Sequence, residues 1–143
     1  CDRGDDFLGS TYSAETYRYH PPKPHYKQGV LVDMIGDRSL RIYAEKNSLK
    51  LAPEVTRSVW RAAREAGVTE FVARTKHEVR DDHLPLNEIA KIPTCDIIDF
   101  DYPHWHTTKD VPNNCSGESL AKVARVLIHW LNTTGDPQGD ATK

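Results

Sequence analysis

Three short stretches of the 143-residue chain concentrate side chains able to move protons or ligate metal: LVDMIGD, RDDHLPL and DFDYPHWHTTKD. In the first, Asp33 interrupts an apolar run. A carboxylate buried there must be paired, protonated or bound to a cation, because an unpaired charge out of water is strongly destabilising. The plain alternative is a carboxylate hydrogen-bonded to loop amides. Asp37 follows close by. The second stretch sets Asp81 and Asp82 beside His83 just ahead of a short helix, a place where acids also serve as caps. The third gathers Asp99, Asp101, His104, His106 and Asp110 with Tyr102 and Trp105. Imidazoles interleaved with carboxylates give the mixed nitrogen and oxygen donor set that zinc and similar divalent ions take.

The elements that must position these groups read as alternating strands and helices. FLGSTYSAETYRY has mixed helical character and stops at HPPKPHYKQG, whose prolines favour an extended connector. Gly29 to Ile35 reads as a buried strand carrying Asp33 near its end, and RSLRIYAE as a second, half-exposed strand. Pro53 opens a helix whose apolar stripe is Val55, Val59, Ala62, Ala63 and Ala66, with Gly67 as its stop. EFVARTKHEV resembles a third strand, and DDHLPLNEIAK a short helix beginning around Pro85. IPTCDIIDF reads as a fourth, fully buried strand. The last helix has Ser116 as its cap and Leu120, Val123, Ala124, Leu127, Ile128 and Leu131 as its stripe.

This pattern implies an α/β layered sheet with helices on its faces, forming a single domain over residues 1–135 with a disordered tail at 136–143. In such sheets ligands gather beyond the carboxyl ends of the strands, which singles out Asp33, Asp37 and the segment from Asp99 to His106.

Composition narrows the partners. Lys and Arg number 19 against 21 Asp and Glu, a formal net charge of −2, so there is no positive excess for gripping phosphate backbones and nucleic acid is not expected as a partner. No run reaches the roughly 18–20 apolar residues of a membrane helix, and the opening residues lack the basic and apolar regions of a secretory signal, so the default expectation is a cytoplasmic chain with no membrane partner. Cys1, Cys95 and Cys115 are too few and too scattered for a disulfide framework. Cys95, in an apolar run, reads as a small buried hydrophobe.

The ordered set GVLVDMIGD, DDHLPL, an apolar strand led by Ile-Pro, and DFDYPHWHT followed by a final helix resembles the C-terminal half of the zinc aminopeptidases of metallopeptidase family twenty-eight, a group that includes glutaminyl cyclases. The resemblance runs from about Phe7 to Leu131. It implies a truncated zinc-exopeptidase-like sheet, with zinc or another divalent transition metal as cofactor. In two-metal relatives the Asp of the D-M-I-G strand end and the His of the W-H-T loop are zinc ligands, which here implicates Asp33 and His106. In cyclase-like relatives the second Asp of D-D-H belongs to an acid network beside the metal, which implicates Asp82. His83, Asp37, Asp101 and His104 are neighbours with less defined catalytic or supporting roles. Family members in this group are often periplasmic or secreted.

The family's His-x-Asp pair and its acidic pair, which supply further ligands and the general base, have no counterpart in this sequence. A catalytic zinc needs about three protein ligands and an open position. Asp33 and His106 make two, and the remainder would come from other groups of these clusters, from His20 or His25, or from a second copy in a homodimer that also buries apolar strand edge. Peptide hydrolysis needs a base and a proton for a poor leaving group, so it should be impaired. Aryl phosphotriesters and aryl esters need little beyond a metal-bound hydroxide, and Tyr102 and Trp105 would suit an aryl group. The expectation is therefore a metal-dependent hydrolase of such small-molecule substrates. The alternatives are half of an aminopeptidase or glutaminyl cyclase that needs its N-terminal part, and a non-catalytic fragment or interaction module.

Overall fold

The computed structural model describes residues 6–134, so the expected tail at 136–143 lies outside the described residues. Among the described residues five α-helices and four strands intermingle along the chain, and both strand pairs are parallel. Strand β1 (Gly29–Asp33) pairs with β4 (Thr94–Ile98), and β2 (Ile42–Ala44) with β3 (Phe71–Thr75). β2 also lies beside β4, which brings the two pairs together.

Helix α1 (Leu8–Tyr19) settles the mixed character of its segment in favour of helix. It buries Ala14 against Ala90 and Ile92, a small satellite core apart from the main one. The proline connector folds back on it. Tyr26 stacks on Tyr17 with ring centroids 5.2 Å apart, and its backbone N–H donates to the Tyr17 hydroxyl at 2.9 Å.

β1 is shorter and wetter than its apolar sequence suggests. It stops at Asp33 because Met34 turns into the left-handed region at φ 49°, and Val32 and Asp33 are exposed. The expectation of a buried strand through Ile35 is corrected on both counts, because among the described residues β1 pairs on one edge only, with β4. β2 is corrected in the other direction. Its alternating pattern suggested a half-exposed strand over RSLRIYAE, yet only Ile42–Ala44 is strand and all three residues are buried, since β3 and β4 flank it. β3 likewise spans only Phe71–Thr75 of its expected run.

Glu45 caps α2 (Lys46–Leu51), and α3 (Pro53–Glu65) follows with Pro53 in its first turn. Proline suits that position because its missing N–H would have had no helical partner. Val55, Val59, Ala62 and Ala63 are buried as the stripe predicts, and Gly67 ends the segment at φ 69°. α4 spans His83–Glu88, beginning two residues before Pro85, with Asp82 at its N-cap position. β4 is buried throughout, Cys95 and Ile97 completely.

α5 (Gly117–Thr134) packs on α3 with a face that shares Val123 and the partly buried Leu127 with the expected stripe but is rotated away from the rest of it. Ser119, Val123, Val126 and Trp130 are buried, while Leu120, Ile128 and Leu131 are exposed. The Trp130 indole donates to the Ser58 hydroxyl at 2.8 Å, and satisfying that N–H together with burying the ring sets the rotation. The Glu118 N–H donates to Ser116 Oγ at 3.2 Å, as expected of a cap. No helix among the described residues is long and apolar enough to cross a membrane.

Candidate active site

The carboxyl end of β1 carries Asp33, whose Oδ1 accepts the Met34 N–H at 2.9 Å. Partial burial raises its proton affinity, the Asp81 and Asp82 carboxylates add to that, and the Met34 contact only partly opposes them. Three acids from two distant segments therefore share one neighbourhood. Asp82 Oδ1 accepts the Ser10 hydroxyl at 2.7 Å, and its N–H donates to Asp81 Oδ1 at 2.6 Å. Negative charge nearby makes the Asp33 carboxyl hold its proton more tightly than an isolated acid would.

The aromatic and histidine loop that follows β4 is built around its own contacts. Asp99 is buried, and its carboxylate accepts the Arg41 N–H at 2.7 Å and the Asp101 N–H at 3.2 Å. Burial raises its proton affinity and those two amides lower it, with the net shift upward. Asp101 pairs with Lys76 at 2.6 Å and His77 at 2.8 Å, so it ties this loop to the segment after β3. The Lys76 contact, followed by that of His77, holds its carboxyl below the usual range.

Asp37, Tyr102, Trp105 and Asp110 line a small pocket of about 110 Å³ with Met34, Gly36 and Cys115. The Tyr102 hydroxyl donates to Asp110 Oδ1 at 2.8 Å. Asp37 is held by the Ser39 N–H at 3.0 Å, and its carbonyl accepts the Ser119 hydroxyl at 2.6 Å. His104 sets its ring edge-on to Tyr102. His106 stacks on Trp105 with centroids 4.2 Å apart, and its backbone is left-handed at φ 56°. Such a conformation costs a non-glycine residue about 1 kcal/mol or more, and strain of this kind gathers where a side chain must be aimed. Met34, directly after Asp33, is another of the four left-handed non-glycine residues described.

The structure thus brings Asp33, Asp81 and Asp82 together, and separately Asp37 with Tyr102 and Trp105. Among the described residues no group of three or more His, Cys, Asp or Glu side chains could hold a metal ion.

The deeply buried carboxylate that the sequence suggested at Asp33 lies instead at Asp96, in β4, with neither oxygen hydrogen-bonded. His83 belongs to the same spot. It is fully buried, 3.8 Å from Asp96 and 3.4 Å from Glu45, a residue whose sequence context carries no sign of a site. Asp96 could have been found by the reasoning applied to Asp33, since it too breaks an apolar run. Glu45 offered no such signal.

Compared with known proteins, residues 5–131 match the family described as Peptidase family M28. The chain is 37% identical to a glutaminyl cyclase from Fimbriiglobus ruber, with a TM-score of 0.81, covering 87% of this chain and 43% of that one. It is 31% identical to a leucine aminopeptidase precursor from Bacteroides thetaiotaomicron, with a TM-score of 0.78, covering 85% and 42%. It is 29% identical to a Zn-dependent exopeptidase from Parabacteroides distasonis, with a TM-score of 0.76, covering 90% and 46%. The chain spans less than half the length of each of these three structures. No curated protein matches it.

Proposed function

Because this chain belongs to peptidase family M28, we propose that it forms the carboxylate-bearing half of a glutaminyl cyclase-like site, in which Asp33, Asp82 and His106 are working groups. The observation that carries this reading is that the charges of Asp81 and Asp82 reach Asp33 at the end of β1 and raise its proton affinity, with Ser10 holding Asp82 in place. Cyclising an N-terminal glutamine moves one proton off the attacking amine and delivers one to departing ammonia. A carboxyl whose proton affinity is raised by burial and nearby acids, as that of Asp33 is, suits that transfer. The pocket bearing Tyr102 and Trp105 would seat the substrate beside them.

Asp33 and His106 are the two zinc ligands this chain would offer, the others coming from a complementary polypeptide or from a second copy of the chain. Either would cover the open edge of β1, where Val32 is exposed. A second reading, hydrolysis of aryl phosphotriesters or aryl esters by this chain alone, is favoured only by the aromatic lining of that pocket. None of the three matched structures is described as acting on such substrates.

The test incubates the purified chain with a glutaminyl aminocoumarin, an aminoacyl anilide and an aryl phosphotriester. Each is tried with and without a chelator, and with and without a polypeptide carrying the N-terminal half of a cyclase relative. Ring closure that appears only in the complemented mixture is the expected result. Anilide cleavage there instead reassigns the site to an exopeptidase. Chelator-sensitive turnover of the phosphotriester by the chain alone establishes the second reading, and no turnover in any mixture overturns both. Light scattering on the same sample reports whether the chain pairs with itself.

A further inference from the structure

α4 runs directly from the Asp81–Asp82 pair into His83, so whatever holds the His83 ring also holds the backbone that presents Asp82. That ring is fully buried, with Nε2 3.4 Å from Glu45 Oε1 and Nδ1 3.8 Å from Asp96 Oδ2. Glu45 is 1% exposed and Asp96 0%, so three ionisable groups from three separate segments meet out of reach of water. Both ring nitrogens and both Asp96 oxygens lack a hydrogen-bond partner. Four orphaned polar atoms at one buried spot call for a physical reason.

Charge counting supplies one. Glu45 is built to be an anion. Its Oε2 accepts the Asn47 N–H at 2.8 Å and the Val79 N–H at 3.3 Å, while Oε1 accepts the Ser48 N–H. Burial opposes its charge, but the contacts from His83, Ser48 and Asn47 outweigh burial and leave its carboxyl below the usual range. With Glu45 ionised, a neutral ring and a neutral Asp96 would leave a net buried charge of −1, and so would a charged ring with an ionised Asp96. A charged ring with a protonated Asp96 sums to zero, the arrangement least penalised by loss of water.

The surroundings favour that assignment. Desolvation, followed by the carboxylates of Asp81, Glu45, Asp33 and Asp82, pushes Asp96 up to about 8. The adjacent Cys95 thiol is pushed up to about 12, so it adds no charge near neutrality.

We propose that His83 is a positioning residue: an imidazolium clamped between the Glu45 carboxylate and a protonated Asp96, which fixes the first turn of α4 and thereby sets Asp82 beside Asp33. The positioning rests on the reading that Asp33 and Asp82 belong to the site. The clamp does not, and its test needs no turnover.

The experiment is nuclear magnetic resonance on the full chain with ring-¹⁵N histidine. At pH 7.5, above the ordinary histidine range, His83 should show two protonated ring nitrogens. Asp96→Asn should keep both, because an amide, like a protonated carboxyl, leaves the cluster neutral. Glu45→Gln should abolish the doubly protonated signature and shift the Asp82 and Ser10 amide resonances. A singly protonated ring in the unaltered chain overturns the clamp. So does loss of the signature in Asp96→Asn, an arm that stands even where Glu45→Gln fails to fold. Loss of ring charge in Glu45→Gln with unmoved Asp82 and Ser10 resonances overturns the positioning role alone. A chain inactive on glutaminyl substrates with an intact ring signature overturns the functional reading and not the clamp.

Discussion

The Ser10 hydroxyl donates to Asp82 Oδ1 at 2.7 Å, joining two residues 72 positions apart in the chain. The contact ties α1 to the start of α4, and Ala14 packs beside Ala90 and Ile92 just past the end of α4. α1 lies away from the main core, and in this part of the molecule it holds Asp82 through Ser10. The placement of Asp82 therefore depends on a helix that contributes no acid of its own to the cluster.

Replacing Ser10 with alanine should show this dependence. The variant loses a hydrogen bond to a carboxylate in a half-buried setting, worth about 1–2 kcal/mol. Alanine is the better helix former, so the loss is not one of helix propensity. Urea denaturation should record the drop, and amide exchange should quicken along α1 ahead of the rest of the chain. An unchanged midpoint would mean that the contact is not kept in solution.

Asp96 gives the chain a distinctive dependence on pH. Desolvation first, and then the neighbouring carboxylates of Asp81, Glu45, Asp33 and Asp82, lift it from 3.8 to about 8. An acid whose folded form holds its proton more tightly than the unfolded form contributes stability that is complete below the unfolded value. That contribution is lost as pH rises toward the folded value. Between roughly pH 4 and 8 this group alone should lower stability by about 1.4 kcal/mol per pH unit. Asp96→Asn removes the slope with little change of volume. Its stability relative to the unaltered chain should therefore climb from pH 5 to pH 8 in a series of urea titrations. Parallel curves for the two proteins would show that Asp96 is ionised in the fold.

Much of the framework was legible because local signals agreed with long-range packing. The α3 stripe, bounded by Pro53 and Gly67, lies buried as its spacing required, and the apolar run around Cys95 is a buried strand. The misreadings have a common cause. β2 alternates like a half-exposed strand, yet β3 and β4 flank it and all three of its residues are buried. α5 carries apolar residues around most of its circumference, so spacing alone could not reveal that Val126 and Trp130 face inward while Ile128 and Leu131 do not. The acids at Asp33 and Asp82 stood out from their neighbours. Glu45 did not, because the groups that give it meaning, His83 and Asp96, arrive from later in the chain.

The start of the β1–β4 pair offers a steric test. Gly29 is aligned with Thr94, and a Cβ at Gly29 would lie 2.7 Å from Thr94 Oγ1 and 3.1 Å from its Cγ2. Thr94 is buried and its hydroxyl is engaged with the Ile92 carbonyl, so it cannot simply swing aside. Gly29→Ala should cost about 1–3 kcal/mol through overpacking. Shortening the obstacle in Gly29→Ala with Thr94→Ala should recover part of the loss. A double-mutant cycle from denaturation data should give a favourable coupling of about 1 kcal/mol, whereas simple additivity would mean that the two positions do not touch.

Cysteine labelling can read the opening of β4 directly. Cys95 is fully buried, and burial, with Asp96 beside it, pushes its thiol up to about 12. Cys115 is exposed in the loop bridged to Asp37. Because only the thiolate attacks, iodoacetamide at pH 8 should label Cys115 in the folded chain and Cys95 only in molecules that have opened. Peptide mapping by mass spectrometry separates these sites from Cys1. Ile97→Ala, which empties a fully buried position in the same strand, should cost about 2–5 kcal/mol. That loss should speed Cys95 labelling by roughly 30-fold or more while leaving Cys115 unchanged. Comparable labelling of both cysteines in the unaltered chain would contradict a closed β4, and with it the dry setting that the His83 cluster requires.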